Sequence, residues 1–159
     1  MFRDYEEFFA ALNDHRVRYL IVGAHAVAFH ARPRATKDID ILFEPTVLNA
    51  RRALAAITDF FGGADLGCTV EDLTDPQGII QLGVAPVRID LLAQVAGCPD
   101  FKAAWRRRVT ARYGAVKAYY LGLNDLIRAK EAAGRDQDRA DLRALERAKS
   151  RTSRRGRAR

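Results

Sequence analysis

Two short apolar runs in this chain carry acids where acids are costly. Asp38 and Asp40 flank Ile39 in Asp38-Ile39-Asp40-Ile41-Leu42-Phe43, and Asp90 interrupts Val87-Arg88-Ile89-Asp90-Leu91-Leu92. The bare acid-x-acid pattern has little weight, since roughly two or three such pairs are expected by chance in a chain this acidic. Asp4/Glu6, Asp38/Asp40 and Asp136/Asp138 all fit it. Context separates the middle pair, because its neighbours read as a β-strand. Side chains alternate along a strand and same-face neighbours lie about 6.6 Å apart. Ile39 and Ile41 then turn to the core while Asp38 and Asp40 share one exposed face. Two carboxylates so held repel each other, and a divalent cation, Mg²⁺ above all beside phosphates, relieves the repulsion. A charge at Asp90 needs a partner or a metal. If the two runs are neighbouring strands, three carboxylates converge. Such a trio can hold two metal ions about 3.5–4 Å apart, clamping the attacking and leaving oxygens of a phosphoryl displacement. The alternative for Asp90 is an ion pair with Arg88 or Arg34.

Phosphate-binding features precede the acids. Val22-Gly23-Ala24 passes from an apolar run into a helical one. A glycine there admits a phosphate to the backbone, and a helix start offers unpaired N–H groups and a positive dipole end; an ordinary strand-to-helix turn is the alternative. Arg32, Arg34, Thr36 and Lys37 follow. They suit triphosphate oxygens, which the arginine fork matches, or form a solvated loop. His25 and His30 lack a third metal ligand and read as structural, and His15 as a helix-end residue. Phe101 and Trp105 read as core, and Arg106-Arg107-Arg108 as a solvated or substrate-facing cluster. Cys68 and Cys98 have no neighbouring base to activate them.

The elements that must position these residues follow from periodicity. Tyr5, Phe8, Phe9 and Leu12 predict an amphipathic helix over 3–14. Strands are expected at 17–22, 38–43, 78–84, 87–92, 109–112 and 116–121, with 78–92 forming an antiparallel hairpin about Ala85-Pro86. Helices are expected at 24–30, from Pro45 to about Phe60, around 101–107, and near 123–133 and 137–149, with Gly62-Gly63 and Gly134 as stops. Strands and helices mix without a regular βα period, so the expected class is α+β with a mixed sheet flanked by helices.

At 159 residues the chain suits one domain. Apolar residues at 48% and charged residues at 30% support a folded core. No run approaches the ~18 apolar residues of a membrane span, and the acidic start Met1-Phe2-Arg3-Asp4-Tyr5-Glu6-Glu7 does not resemble an export signal. Two cysteines make no disulfide framework, which fits a cytoplasmic protein. The net charge of +7 is concentrated at the end. Arg147, Lys149, Arg151, Arg154, Arg155, Arg157 and Arg159 have no acid among them, and the rest of the chain is neutral. Residues 1–149 are therefore expected to form the domain and 150–159 a disordered basic tail. The tail either touches RNA or another polyanion or serves solubility alone.

The order strand, Gly23-Ala24, helix, basic loop, Asp38-x-Asp40, then Asp90 on a later strand resembles the DNA polymerase beta-type nucleotidyltransferase superfamily. It is most similar to the small bacterial, abortive-infection toxin-like branch. Tyr19–Phe43, Gly78–Leu92 and Leu121–Leu145 carry the likeness. The resemblance implies a nucleotidyltransferase-like fold with C-terminal helices, and a place for Lys130 at the nucleotide or its phosphates; a solvent-facing lysine is the alternative. It further implies a Mg²⁺-dependent enzyme using an NTP, ATP first. Asp38, Asp40 and Asp90 would hold the metals, and Gly23, Ala24, Arg34, Thr36, Lys37 and Lys130 the nucleotide. An acceptor hydroxyl on a tRNA end, a protein or a small molecule would attack the α-phosphorus and release pyrophosphate. Alanine at position 24 departs from the Gly-Gly or Gly-Ser turn of that superfamily: it keeps the N–H but brings no hydroxyl. A non-catalytic nucleotide- or RNA-binding partner on the same fold, antitoxin-like, is the competing function.

Overall fold

The computed structural model describes residues 3–33, 36–84 and 87–157, with side chains through residue 154. Burial of aromatic and β-branched residues organises the chain into a six-stranded sheet covered on both faces. The elements are α1 (Arg3–Asp14), β1 (Tyr19–Ile21), α2 (Gly23–His30), β2 (Asp38–Phe43), α3 (Val47–Phe60), α4 (Val70–Thr74), β3 (Ile79–Val84), β4 (Val87–Leu92), α5 (Phe101–Arg106), β5 (Val109–Tyr113), β6 (Val116–Tyr120), α6 (Leu123–Ala133) and α7 (Asp136–Arg157). The strand order is β3-β4-β2-β1-β6-β5. The β2/β4 and β1/β6 pairs are parallel, and the β1/β2, β3/β4 and β5/β6 pairs antiparallel. This is the mixed α+β sheet that the sequence predicts, including the β3/β4 hairpin. Its turn, Ala85-Pro86, lies outside the described residues.

The alternation of side chains explains the two cores. Ile39, Ile41, Phe43, Ile89 and Leu91 point to one face, where they meet Phe8, Phe9 and Leu12 of α1 and Ala53 and Ile57 of α3. Leu20, Val22 and Leu42 point to the other, against Val27 of α2, Leu126 of α6 and Leu145 of α7. Asp38 and Asp40 belong to this second face. The acids therefore do not lie on an exposed face, as the strand pattern alone suggests. Leu42, the next residue on that face, is fully buried, and both acids are half-buried.

Other differences have local causes. Helix α3 begins at Val47 because the Thr46 side chain accepts from Asn49 N and so caps it; Pro45 lies just before. Helix α4, absent from the periodicity reading, is a five-residue turn made by a capping box between Thr69 and Asp72. The segment expected to be a disordered tail continues α7 to Arg157. The packed first half of α7 nucleates the helix and added residues propagate it cheaply, arginine and lysine being good helix formers. Ser150 and Thr152 also turn their hydroxyls onto the carbonyls of Glu146 and Ala148, at 3.0 and 3.1 Å. Among the described residues no helix is long and apolar enough to cross a membrane.

Candidate active site

The parallel register of β2 and β4 decides where the acids meet. Asp38 lies opposite Arg88 and Asp40 opposite Asp90. Residues paired in this way point to the same face, so all four side chains share the second face of the sheet. Asp40 and Asp90 line one cleft of about 380 Å³, together with Gly23, Lys130 and Arg135. That volume lies within the range of small-molecule sites. Asp38 is not among the lining residues. Arg88 Nη2 donates to Asp38 Oδ2 at 2.7 Å and reaches Asp90 Oδ2 at 3.4 Å. The ion pair weighed for Asp90 thus exists beside the carboxylate pair. Arg88 Nε is 3.2 Å from Asp90 Oδ1, yet misaligned, and Asp90 Oδ1 is buried without a hydrogen-bond donor.

Gly23 brings the phosphate-type turn against these acids. Its φ of +61° opens α2, and a Cβ built there would fall 2.0 Å from Asp40 Oδ2. Only glycine fits both the left-handed backbone and the close approach. Val22 N donates to the Asp40 carbonyl at 3.0 Å, fixing the turn to β2. Val22 provides no side-chain cap, so the first N–H groups of α2, Ala24 included, are not met by a capping side chain. Burial pushes the Asp40 carboxyl above its ordinary value. The negative charge of Asp90 and, less, of Asp38 adds to this, while Lys130 and Arg135 oppose it.

Lys130 is buried, which overturns the solvent-facing alternative. Its Nζ lies 2.7 Å from Asp138 Oδ1 and 3.1 Å from Asp141 Oδ2. Arg135 Nε donates to Asp138 Oδ2 at 2.8 Å. Burial raises the Asp138 carboxyl, but the hydrogen bonds from Arg135 and Lys130 outweigh it and hold the carboxyl below the usual range. Arg135 is a charged cleft residue that the sequence reading missed. The spacing Arg135-x-x-Asp138-x-x-Asp141, just past the left-handed Gly134 that ends α6, is the signal that could have found it.

The basic loop is less tied to the cleft. Thr36 Oγ1 donates to the Asp38 carbonyl at 3.1 Å, and the Lys37 side chain is exposed. Tyr5, from the opposite face, donates to the Lys37 carbonyl at 2.7 Å. Arg32 is exposed, and Arg34 lies outside the described residues. Within the Arg106–Arg108 cluster, Arg107 and Arg108 make structural contacts, and Arg106 is exposed. Arg107 grips buried Asp125 through two 2.9 Å bonds, joining the end of α5 to α6, and Arg108 lies 4.0 Å over the Trp105 ring. His25 is half-buried, its pKa lowered to about 4 by that burial, and it packs edge-on against Tyr5. His30 meets the Leu121 carbonyl at 2.7 Å, and His15 meets Asp59 at 2.6 Å.

A family model described as "Nucleotidyltransferase of unknown function (DUF6036)" matches residues 2–150. The chain belongs to this nucleotidyltransferase family. No curated protein matches it. Among solved structures, the chain is similar to a Thermotoga maritima protein whose crystal structure is described as that of a "putative nucleotidyltransferase". The two are 15% identical, with a TM-score of 0.58 over 89% of each chain. At that identity the likeness establishes a nucleotidyltransferase-like fold. Within this family's chain, the parallel β2/β4 pair, the Gly23 turn and the α6–α7 junction are what converge on the cleft.

Proposed function

We propose that this nucleotidyltransferase-family protein is a Mg²⁺-dependent enzyme that transfers NMP from an NTP, ATP first, to an acceptor hydroxyl. The observation that carries this reading is the register of Asp40 and Asp90 beside the Gly23 turn, in one cleft with Lys130 and Arg135. The donor set fits a hard cation. Asp90 Oδ1 is buried without a donor, and Asp40 is pushed up by burial and by its neighbour's charge; a dication relieves both. Asp40 and Asp90 would hold it, with Asp38 joining once Arg88 releases it. Bound there, Mg²⁺ supplies neutralisation of triphosphate charge and acidifies the acceptor hydroxyl.

The chain's own groups do the rest. The first N–H groups of α2, at Gly23 and Ala24, face phosphate oxygens. Lys130, Arg135, and Arg34, Thr36 and Lys37 from the basic loop add positive charge or hydrogen bonds around the triphosphate. The acceptor oxygen attacks the α-phosphorus. The new O–P bond forms as the bond to pyrophosphate breaks, and the proton passes to the Asp90 carboxylate oxygen that does not hold the cation. Positioning and electrostatics supply most of the rate. The resemblance over Tyr19–Phe43, Gly78–Leu92 and Leu121–Leu145 supports reading the protein as a member of the polymerase beta-type superfamily and of its toxin-like branch.

Two observations favour a second reading, a non-catalytic or antitoxin-like binding partner. Arg88 already occupies Asp38, and among the described residues no three His, Cys, Asp or Glu side chains stand ready to ligate a metal. Calorimetry with ATP, with and without Mg²⁺, separates the two. The enzyme requires metal-dependent ATP binding that is lost in Asp40→Asn; metal-independent binding, or none, supports the partner.

A further inference from the structure

The second half of α7 carries a charged surface that the cleft does not use. Arg143, Arg147, Arg151 and Arg154 recur at three- and four-residue spacing, so they follow one face of the helix at steps of about 5–6 Å. All four are exposed, while the opposite side of the helix buries Asp138, Asp141, Ala144 and Leu145. They line an open groove in which Glu146 is the one acid. Arg32, from the loop after α2, joins Arg147 and Arg151 around an adjoining cleft of about 120 Å³. Among the described residues none of these five arginines is in an ion pair, unlike Arg88, Arg107 and Arg135. Five guanidiniums from two elements thus converge with little internal neutralisation.

The chemistry of this face selects its partner. Membrane-surface helices carry a stripe of Trp, Phe or Leu beside the basic one. Here the apolar stripe is spent on the protein's own core. Tight protein interfaces centre on buried aromatic or aliphatic anchors. From Arg143 to Arg154 the exposed positions hold only charged residues, serine and threonine. A phosphodiester backbone needs neither, since guanidinium contacts to phosphate supply most of its affinity. Helix α7 starts just past Arg135, a cleft-lining residue, and continues for about 28 Å to Arg154, passing Ala31 and Arg32 on the way.

We infer that the arginine face of α7, with Arg32, binds the phosphate backbone of a nucleic acid. This binding stands on the surface alone and needs no transfer at the cleft.

The test is fluorescence anisotropy of the full chain with a labelled RNA duplex bearing a single-stranded 3′ end, and with the DNA of the same sequence, across about 50–200 mM KCl. Binding of either should weaken with salt, the slope reporting some 0.7–0.9 per phosphate contact. Replacing Arg143, Arg147 and Arg151 by Gln should flatten the slope by about 2 to 3 and lower affinity at least tenfold near 100 mM salt. Replacing the same three by Lys should restore most of the slope. Circular dichroism checks that the helix persists in both. Asp40→Asn should bind with the parent's affinity and slope while transferring no nucleotide. Retained binding in that variant, with the salt signature, upholds the surface even if the parent transfers nothing. No binding at 50 mM salt, or an unchanged slope in the Gln variant, overturns the proposal.

Discussion

Replacing Gly23 by alanine tests the turn and the acid pair at once. The new Cβ would stand 2.0 Å from Asp40 Oδ2 and 2.9 Å from its Cγ, and contacts under 3.0 Å are not tolerated. The carboxylate must retreat by more than about 1 Å, and a misplacement of that size costs roughly 100-fold in rate. The backbone pays separately, because φ is +61° and the left-handed region costs a non-glycine residue about 1–2 kcal/mol. For a domain of this size that lowers Tm by roughly 2–8 °C. Gly62→Ala is the matched control. Its φ is +66° and nothing lies within 4 Å of the added Cβ, so it pays the backbone cost alone. Tm by calorimetry and transfer of α-labelled ATP should therefore separate the pair. Both variants lose the backbone contribution, Gly23→Ala loses at least as much Tm as Gly62→Ala because of the added clash, and only Gly23→Ala loses transfer. Equal transfer by the two variants would refute the reasoning.

Three further outcomes follow from the same geometry. The Asp40 carboxyl is raised by burial and by Asp90, so the folded state holds a proton that the unfolded chain releases between the ordinary and the raised value; stability falls as pH rises through that window. Asp40→Asn should thus match or exceed the parent's Tm at neutral pH while abolishing transfer, and the parent's Tm at neutral pH should climb with added Mg²⁺. Lys130→Met removes the cation shared by buried Asp138 and Asp141; urea unfolding should show a loss of about 3–5 kcal/mol. Arg88→Gln frees Asp38 and Asp90 from their bridging guanidinium. Half-maximal Mg²⁺ for ATP binding should fall several-fold in a calorimetric titration, and an increased requirement would make Arg88 a positioning residue instead of a competitor.

Much of the fold is legible because strand and helix periods leave separate marks. The alternation in Asp38–Phe43 and Val87–Leu92 and the four aromatic or aliphatic residues of α1 appear in the structure at the expected positions. The meeting of Asp40 with Asp90 was conditional on two strands being neighbours, and strand order is a long-range property that no local pattern encodes. The β2/β4 register supplies it. The burial of the acid face was illegible for the same reason: α6 and α7, distant in sequence, cover it together with α2. Arg88 shows what spacing cannot reveal. On the sequence it is one of two arginines that could pair with Asp90. In the fold it bridges Asp38 and Asp90, a consequence of the pleat placing positions 88 and 90 on one side. The helical state of residues 150–157 escaped because the exposed stretch Ser150–Arg154 leaves no periodic burial to read, although arginine's helix propensity is good.

The central claim is that Asp40 and Asp90 together seat the cation that carries the nucleotide. Crystals grown with Mn²⁺ and a non-hydrolysable ATP analogue test it most directly, through the anomalous signal of the metal. The account predicts a peak about 2.1 Å from carboxylate oxygens of both Asp40 and Asp90, with the triphosphate at the Gly23 turn and Arg88 withdrawn from Asp38. A nucleotide bound elsewhere, or no metal between these two side chains while Arg88 keeps its bridge, would contradict it.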